Sequence, residues 1–183
     1  REQAALAWAR DDLDAALLWA HALPDAGGEW GAAAMIYGQL AERDPRRAIA
    51  LAKERGDDAF YAKAVRRIYD GWAKHDPGAA LQGLGDTLLG NGMNFLNLGN
   101  DIGRWISRDS AAAFGWVIAH DRGNDTYTGS LFYSLADKVD AGVLVPALFQ
   151  ATQDAEHVDW FGAPLKAWMK SDPAAAKAWL TSL

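Results

Sequence analysis

The side chains of this 183-residue sequence that could do acid–base or metal chemistry are aspartates, glutamates and four histidines. The histidines are His21, His75, His120 and His157. None has a second histidine within one or two helical turns, and a metal site needs converging ligands. The acidic cluster at Asp11, Asp12 and Asp14 lacks the spacing of a calcium loop, and the chain has no cysteine. With no recognised catalytic or phosphate-binding motif, we expect no catalysis, no metal and no cofactor.

A row of asparagines is the first group that could bind a partner. The four are spaced three residues apart: Asn91, Asn94, Asn97 and Asn100. On one helix this spacing gives a polar stripe, which is either a solvated face or a row of amides that holds an extended peptide. From this row, Asn94 and Asn97 are candidate partner-binding residues.

A basic segment over residues 43–75 is the second group. It holds nine of the 18 Lys and Arg residues against five acidic ones, a net charge of +4 in a chain of −6. Arginine predominates in it, which suits bidentate contact with carboxylates or phosphates. We therefore expect an acidic protein or peptide partner at Arg43, Arg46, Arg47, Arg66 and Arg67. The alternative is that these charges only balance neighbouring carboxylates and contribute little.

An internal repeat must position all of these side chains. The phrase W-x-x-x-D-P-x-A-A-x-x-W is complete over residues 168–179 and recurs with changes over 8–19, 40–48, 72–80 and 105–116. Six aspartates mark the period: Asp12, Asp44, Asp76, Asp109, Asp140 and Asp172. They are separated by 32, 32, 33, 31 and 32 residues. An Asp followed by Pro is typical of a helix N-cap with Pro in the first turn. Each unit is therefore predicted to be a helical hairpin, with its second helix beginning at the Asp.

Apolar columns at fixed distances from the Asp support stacked hairpins, because no single hairpin can bury both of its faces. Alanine predominates four residues after the Asp, where helices approach closely. Large residues seven before it (Tyr37, Tyr69, Ile102, Tyr133 and Leu165) and the tryptophans in register are predicted to be buried, the latter between neighbouring hairpins. Trp30 and Trp160 lie out of register and are either exposed anchors or hydrophobic staples.

The fifth unit departs from the pattern. Its cap is either Val139 or Asp140, Ala136 stands where other units have Trp, and Pro146 lies inside its second helix. We expect a kink or break between Gly142 and Pro146, because Pro removes a helical hydrogen bond.

The two-helix unit, with its Pro at the helix junction and its Ala–aromatic core, resembles tetratricopeptide and related α/α-superhelical repeats. The stretch over residues 76–92 is most similar to a tetratricopeptide first helix, with Leu84 and Gly85 in the Leu-Gly place. The phrase as a whole resembles a bacterial repeat type of its own. The resemblance implies an all-α, right-handed superhelix of about six hairpins that binds proteins or peptides, and it carries over no functional residue.

The expected organisation is one α-solenoid domain over residues 1–183, cut or processed from a longer chain, since the sequence opens with Arg1. No apolar run approaches the length of a membrane span, and we expect a soluble protein of the cytoplasm or periplasm. The expected function is a non-catalytic protein- or peptide-binding scaffold. The alternatives are an accessory domain of a larger cell-wall-acting enzyme and an enzyme similar to solenoid DNA glycosylases. Net acidity disfavours nucleic acid, because phosphate contacts dominate such binding.

Overall fold

The structure is a computed structural model that describes residues 2–23, 31–54, 58–121, 125–136, 138–152 and 159–183. These residues form twelve α-helices and no strand. The helices are α1 (Glu2–Asp11), α2 (Leu13–His21), α3 (Ala32–Ala41), α4 (Pro45–Glu54), α5 (Asp58–Ala73), α6 (Pro77–Gly90), α7 (Phe95–Ile106), α8 (Ser110–His120), α9 (Asp125–Leu135), α10 (Ala141–Ala151), α11 (Asp159–Ser171) and α12 (Pro173–Leu180). Consecutive pairs are termed hairpins 1 to 6, and the all-α fold class is confirmed.

The chain divides into two compact units, Arg1–Gly92 and Met93–Leu183, each of three hairpins. In the first unit α1 packs on α3, and α3 packs on α5. In the second unit α7 packs on α9, α9 packs on α11, and α8 packs on α10. Packing between successive hairpins is consistent with a helical repeat. The single domain and the right-handed superhelix stay predictions.

A capped junction recurs in five of the six hairpins. The Asp side chain accepts the backbone N–H three residues later, at 2.9–3.0 Å, in Asp12, Asp44, Asp76, Asp109 and Asp172. The backbone N–H of each Asp donates to the carbonyl four residues earlier. One residue therefore ends the first helix and begins the second. Where the backbone angles are given they agree closely, with φ between −139° and −149° and ψ between 81° and 90°.

The column four residues after the capping Asp is fully buried, as predicted. Its members are Ala16, Ala48, Ala80, Ala113, Leu144 and Ala176. Small side chains at this position let the helices of a hairpin approach closely, and burial of the column holds the hairpin together.

The tryptophans pair within hairpins rather than between them, which corrects the prediction. In hairpins 1, 4 and 6, the tryptophan four residues before the Asp contacts the tryptophan seven residues after it. The centroids of the two rings lie 5.8–6.3 Å apart. In hairpin 3 the Trp72 ring covers Gly83, where a Cβ would lie 2.7 Å from it. Trp8 is 41% exposed, so its predicted burial is wrong. Trp160 is buried against Phe132 rather than exposed, and Trp30 lies outside the described residues.

The junction of hairpin 5 contains one residue more than the other junctions. Val139 and Asp140 therefore divide the two roles that a single Asp has elsewhere, and both candidates for the cap take part. The N–H of Val139 donates to the carbonyl of Leu135 and ends α9, whereas Asp140 begins α10 without a side-chain cap. The shift places Phe132 and Leu135 in the core. Tyr133, predicted to be buried, is 71% exposed.

Helix α10 runs through Pro146 without interruption, so the predicted break is wrong, whereas the alternative, a kink, stays a prediction. Pro146 has no N–H to donate to the carbonyl four residues earlier, that of Gly142. Gly142 is exposed, so water can satisfy the carbonyl that loses the bond. The proline therefore removes one hydrogen bond and does not end the helix.

The caps give a matched comparison. We expect Asp76→Ala to lower the free energy of unfolding by about 1 kcal/mol, because an N–H of α6 loses its acceptor. Asp140→Ala should change it by a few tenths of a kcal/mol at most, since Asp140 makes no such bond. Urea unfolding of both variants measures the difference. Equal losses would contradict the assignment of the caps.

Close helix packing gives a second comparison. A Cβ at Gly71 would lie 2.0 Å from the carbonyl oxygen of Gly38, so α5 and α3 would have to separate. Gly71→Ala is expected to cost about 3 kcal/mol, as overpacking does. At Gly115 of α8 a Cβ meets nothing within 4 Å. Gly115→Ala should therefore stabilise the protein by about 0.5–1 kcal/mol. Thermal melts of the two variants should move in opposite directions.

Candidate functional site

A cleft in the first unit lies where α1, α3 and α5 meet, and glycine creates it. A Cβ at Gly38 would lie 2.9 Å from the carbonyl oxygen of Arg67, and Gly71 faces Gly38 in turn. The backbones of α3 and α5 therefore touch, and the longer side chains around them form walls. The cleft has a volume of about 270 Å³. Its lining residues are Leu6, Met35, Gly38, Gln39, Glu42, Arg67, Asp70, Gly71 and Lys74.

Each charged side chain that lines the first cleft is paired with a side chain of opposite charge. Lys74 of the α5–α6 junction forms an ion pair with Glu42 of the preceding hairpin. Asp70 accepts from Arg66 at 2.9 Å and from Arg67 at 3.3 Å. The Lys74–Glu42 pair is exposed and contributes little stability, so Lys74 can exchange its partner at small cost.

Gln39 joins the first cleft to hairpin 1. With its amide turned so that both ends are satisfied, its nitrogen donates to the carbonyl of Leu6 at 3.0 Å. Its oxygen accepts from Arg10 at 3.0 and 3.2 Å. One amide thus ties α1 to α3 at the edge of the cleft.

A second cleft lies between α7 and α9 in the second unit. A Cβ at Gly103 would lie 2.9 Å from the side chain of Leu135, so glycine again permits close helix packing. The cleft has a volume of about 230 Å³. It is lined by Asn100, Gly103, Arg104, Ser107, Leu135 and Lys138.

The polar side chains of the second cleft are mostly donors. Lys138 donates to the amide oxygen of Asn100 at 2.9 Å, across the cleft. Arg104 pairs with Asp101 at 2.5 Å. Among the described residues, two cations and no carboxylate line this cleft, whereas Glu42 and Asp70 line the first.

The two clefts use the same repeat positions. In each, the first helix supplies the residues nine, six, five and two before its capping Asp. The next hairpin supplies a lysine two residues before its own Asp, which is Lys74 in the first cleft and Lys138 in the second. Each lysine reaches back to the preceding hairpin. Lys138 was not among the candidates from the sequence, because it lies outside the basic segment over residues 43–75.

The predicted arginine group is divided between helices. Arg46 and Arg47 are exposed in the first turn of α4, and Arg43 is exposed just before it, at the edge of a small hollow shared with Arg10. Arg66 and Arg67 lie in the middle of α5, where Asp70 holds both. Arg67 is only 15% exposed and lines the first cleft. Of the five candidates, Arg67 alone lines either of the two clefts.

The predicted asparagine stripe is wrong, because α7 begins only at Phe95. Asn94 is its N-cap, and Asn94 and Asn97 form a reciprocal capping box with two bonds of 3.1 Å. Asn91 ends α6 and donates to the carbonyl of Ala62 at 3.2 Å. Asn100 is the member of the row that lines a cleft.

His21 lies half-buried against the core of the first unit rather than in a cleft. Its Nε2 is 3.0 Å from the hydroxyl of Tyr37, and its ring packs edge-on against Phe60. Its Nδ1 is buried without a hydrogen-bond partner among the described residues. Burial, with a smaller contribution from the negative charge of Glu54, raises the pKa of Tyr37 to about 12. The contact ties the end of α2 to α3.

Within the described residues, no group of three or more His, Asp or Glu side chains could hold a metal ion. In the same part of the chain, no helix has both the length and the apolarity needed to cross a membrane. Comparison of the sequence and structure with protein-family models, curated proteins and solved structures finds no match.

The raised pKa of Tyr37 has a consequence at alkaline pH. A tyrosine whose pKa rises from 10.0 to about 12 on folding stabilises the protein fully below pH 10. That contribution, on the order of 2 kcal/mol, is lost as the pH rises from about 10 to about 12. We expect the unfolding free energy of Tyr37→Phe to fall less than that of the parent between pH 9 and about 11.5. Chemical unfolding at each pH gives these free energies. Parallel curves of unfolding free energy against pH for the parent and Tyr37→Phe would contradict the raised pKa of Tyr37.

Proposed function

We propose that this protein is a non-catalytic helical-repeat scaffold whose odd-numbered helices bind an acidic peptide or protein segment. The observation that carries the proposal is the recurrence of a glycine-floored cleft at the same repeat positions in both units. Each unit thus presents one cleft of the same kind, and each cleft can bind a side chain of a partner segment. We retain the tetratricopeptide-like class as part of this proposal.

Cleft size favours a peptide over a small molecule. Volumes of about 270 and 230 Å³ lie below the roughly 300–1,000 Å³ of drug-sized ligand sites. Each cleft is suited to one side chain of a segment that continues beyond it.

The donors in the walls favour acidic side chains. The second cleft offers the ammonium of Lys138, the guanidinium of Arg104 and the amide of Asn100. In the first cleft, Lys74 can exchange Glu42 for a carboxylate of the partner. Arg43, Arg46 and Arg47 are exposed and form no ion pair with a carboxylate of the described residues, so they would extend the attraction beyond the clefts. Charge-assisted contacts of this kind set specificity and association rate.

The test begins with selection of binders from a displayed library of random peptides. We expect selected peptides to be enriched in Asp and Glu and to bind more weakly as salt rises. Lys138→Glu and Lys74→Glu should each weaken binding at least about tenfold, since each places a carboxylate where an acidic side chain would bind. Lys63→Glu is the matched control, because Lys63 is exposed on α5 and lines neither cleft.

Fluorescence anisotropy with a selected peptide measures these affinities. Selected peptides without acidic residues would contradict the proposed ligand class. Equal loss in the control and the cleft variants would show that general charge, rather than the clefts, holds the peptide.

A further inference from the structure

The small hollow between hairpins 1 and 2 is lined by two arginines, and none of the other described residues that line it is acidic. Hairpin 1 supplies Arg10 and hairpin 2 supplies Arg43. The remaining lining residues are Gln39 and four apolar side chains. With a volume of about 70 Å³ it admits a small polyatomic ion, whereas drug-sized ligands need roughly 300 Å³ or more. We term this site the arginine hollow.

Neither guanidinium of the arginine hollow forms an ion pair with a carboxylate of the described residues. In that part of the chain, the side chain of Arg43 has no hydrogen-bond partner, and that of Arg10 bonds only to the amide oxygen of Gln39. The Gln39 contact fixes the guanidinium of Arg10 and uses two of its five N–H donors, so three remain for a ligand. Two cations that line one small hollow repel each other, and an anion bound between them removes that repulsion.

The next hairpin boundary in the same unit contains the carboxylate that this boundary lacks. Glu42, two residues before Asp44, pairs with Lys74 of the following hairpin. Arg10 occupies the same repeat position, two residues before Asp12. The repeat therefore supplies its own anion between hairpins 2 and 3, whereas a cation stands in that place between hairpins 1 and 2. The negative charge at the arginine hollow is left to a ligand.

The number and arrangement of the donors favour a phosphoryl group over a carboxylate. A guanidinium binds two oxygens of either group through its fork of N–H donors. A carboxylate carries one negative charge, which balances one of the two arginines. A phosphoryl group carries a charge of about −1.5 to −2 and three acceptor oxygens, so it can serve two guanidiniums that come from different helices.

We propose that the arginine hollow binds a phosphoryl group between the guanidiniums of Arg10 and Arg43. Its source is either free phosphate or a phosphorylated side chain of a partner. Gln39 lines both the arginine hollow and the first cleft, so a segment in that cleft passes close to the hollow. The site uses neither Lys74 nor Lys138, so its failure would leave the proposed peptide binding untouched.

The experiment is an NMR titration of the full chain with inorganic phosphate at pH 7 and constant ionic strength. The backbone amide and arginine Nε–H signals report binding. We expect saturating shifts at Arg10 and Arg43, with a Kd on the order of 1–10 mM. Acetate should bind at least about tenfold more weakly than phosphate, because it carries a single charge.

Three variants test the residues of the site. Arg10→Gln and Arg43→Gln should each weaken phosphate binding at least about tenfold. Gln39→Glu keeps an acceptor for Arg10 but adds a negative charge to the hollow, so it should abolish the binding. Arg108→Gln is the matched control, because Arg108 is an exposed arginine of the second unit at the same repeat position as Arg43.

A blocked phosphoserine distinguishes the two sources of the phosphoryl group. Binding at the same signals that is at least as tight as that of phosphate supports a phosphorylated side chain, whereas weaker binding supports the free ion. Shifts that do not saturate by about 50 mM phosphate overturn the proposal, and so does acetate that binds as tightly as phosphate. A control that weakens as much as the Arg10 and Arg43 variants also overturns it. Matching circular dichroism melts confirm that each variant is folded.

Discussion

A hydrogen bond from a backbone N–H to an aspartate carboxylate, three residues earlier, sets the junction on which every regular hairpin of this protein depends. The same Asp donates its own N–H to the helix that ends there. Both helices are thus fixed at one residue, and nearly equal backbone angles make the junctions alike. Alike junctions place alike positions on the same face, and α3 and α7 contribute the same repeat positions to the two clefts for that reason. The first N–H groups of any helix lack an acceptor within that helix, and the Asp carboxylate accepts one of them at each regular junction.

Glycine is the second constraint, because it decides where the odd-numbered helices may touch. Gly38 and Gly71 permit contact between backbones, and Gly103 permits a backbone to meet a leucine side chain. Around each contact, the longer polar side chains at neighbouring positions have no room between the helices and line the cleft instead. Packing and the chemistry of the clefts are therefore consequences of the same small residues. Substitutions at these glycines would alter both together.

Much of the fold could be predicted from the aspartate spacing alone, because a cap is local and its signature is short. The helix number, the burial of the alanine column and most helix bounds follow from it. The fifth junction could not be read in this way, since the Asp spacings on either side of it, 31 and 32 residues, do not reveal its extra residue. That residue moves Tyr133 outward and Phe132 and Leu135 into the core. The asparagine row was misleading because Asn94 favours a cap as readily as a helix face. The clefts depend on contacts between hairpins, which no pattern within one hairpin reports.

The tryptophan pairs have a consequence for how the chain folds. The partners in hairpins 1, 4 and 6 are 11 residues apart in sequence, and their rings meet at 5.8–6.3 Å. Closing a loop of about ten residues takes on the order of 10–100 ns, so this contact forms among the earliest. Chains rich in such local contacts fold quickly, and repeat arrays can nucleate at any unit. Three separate hairpins thus carry their own nucleus, and the order in which they close need not follow the order of the sequence.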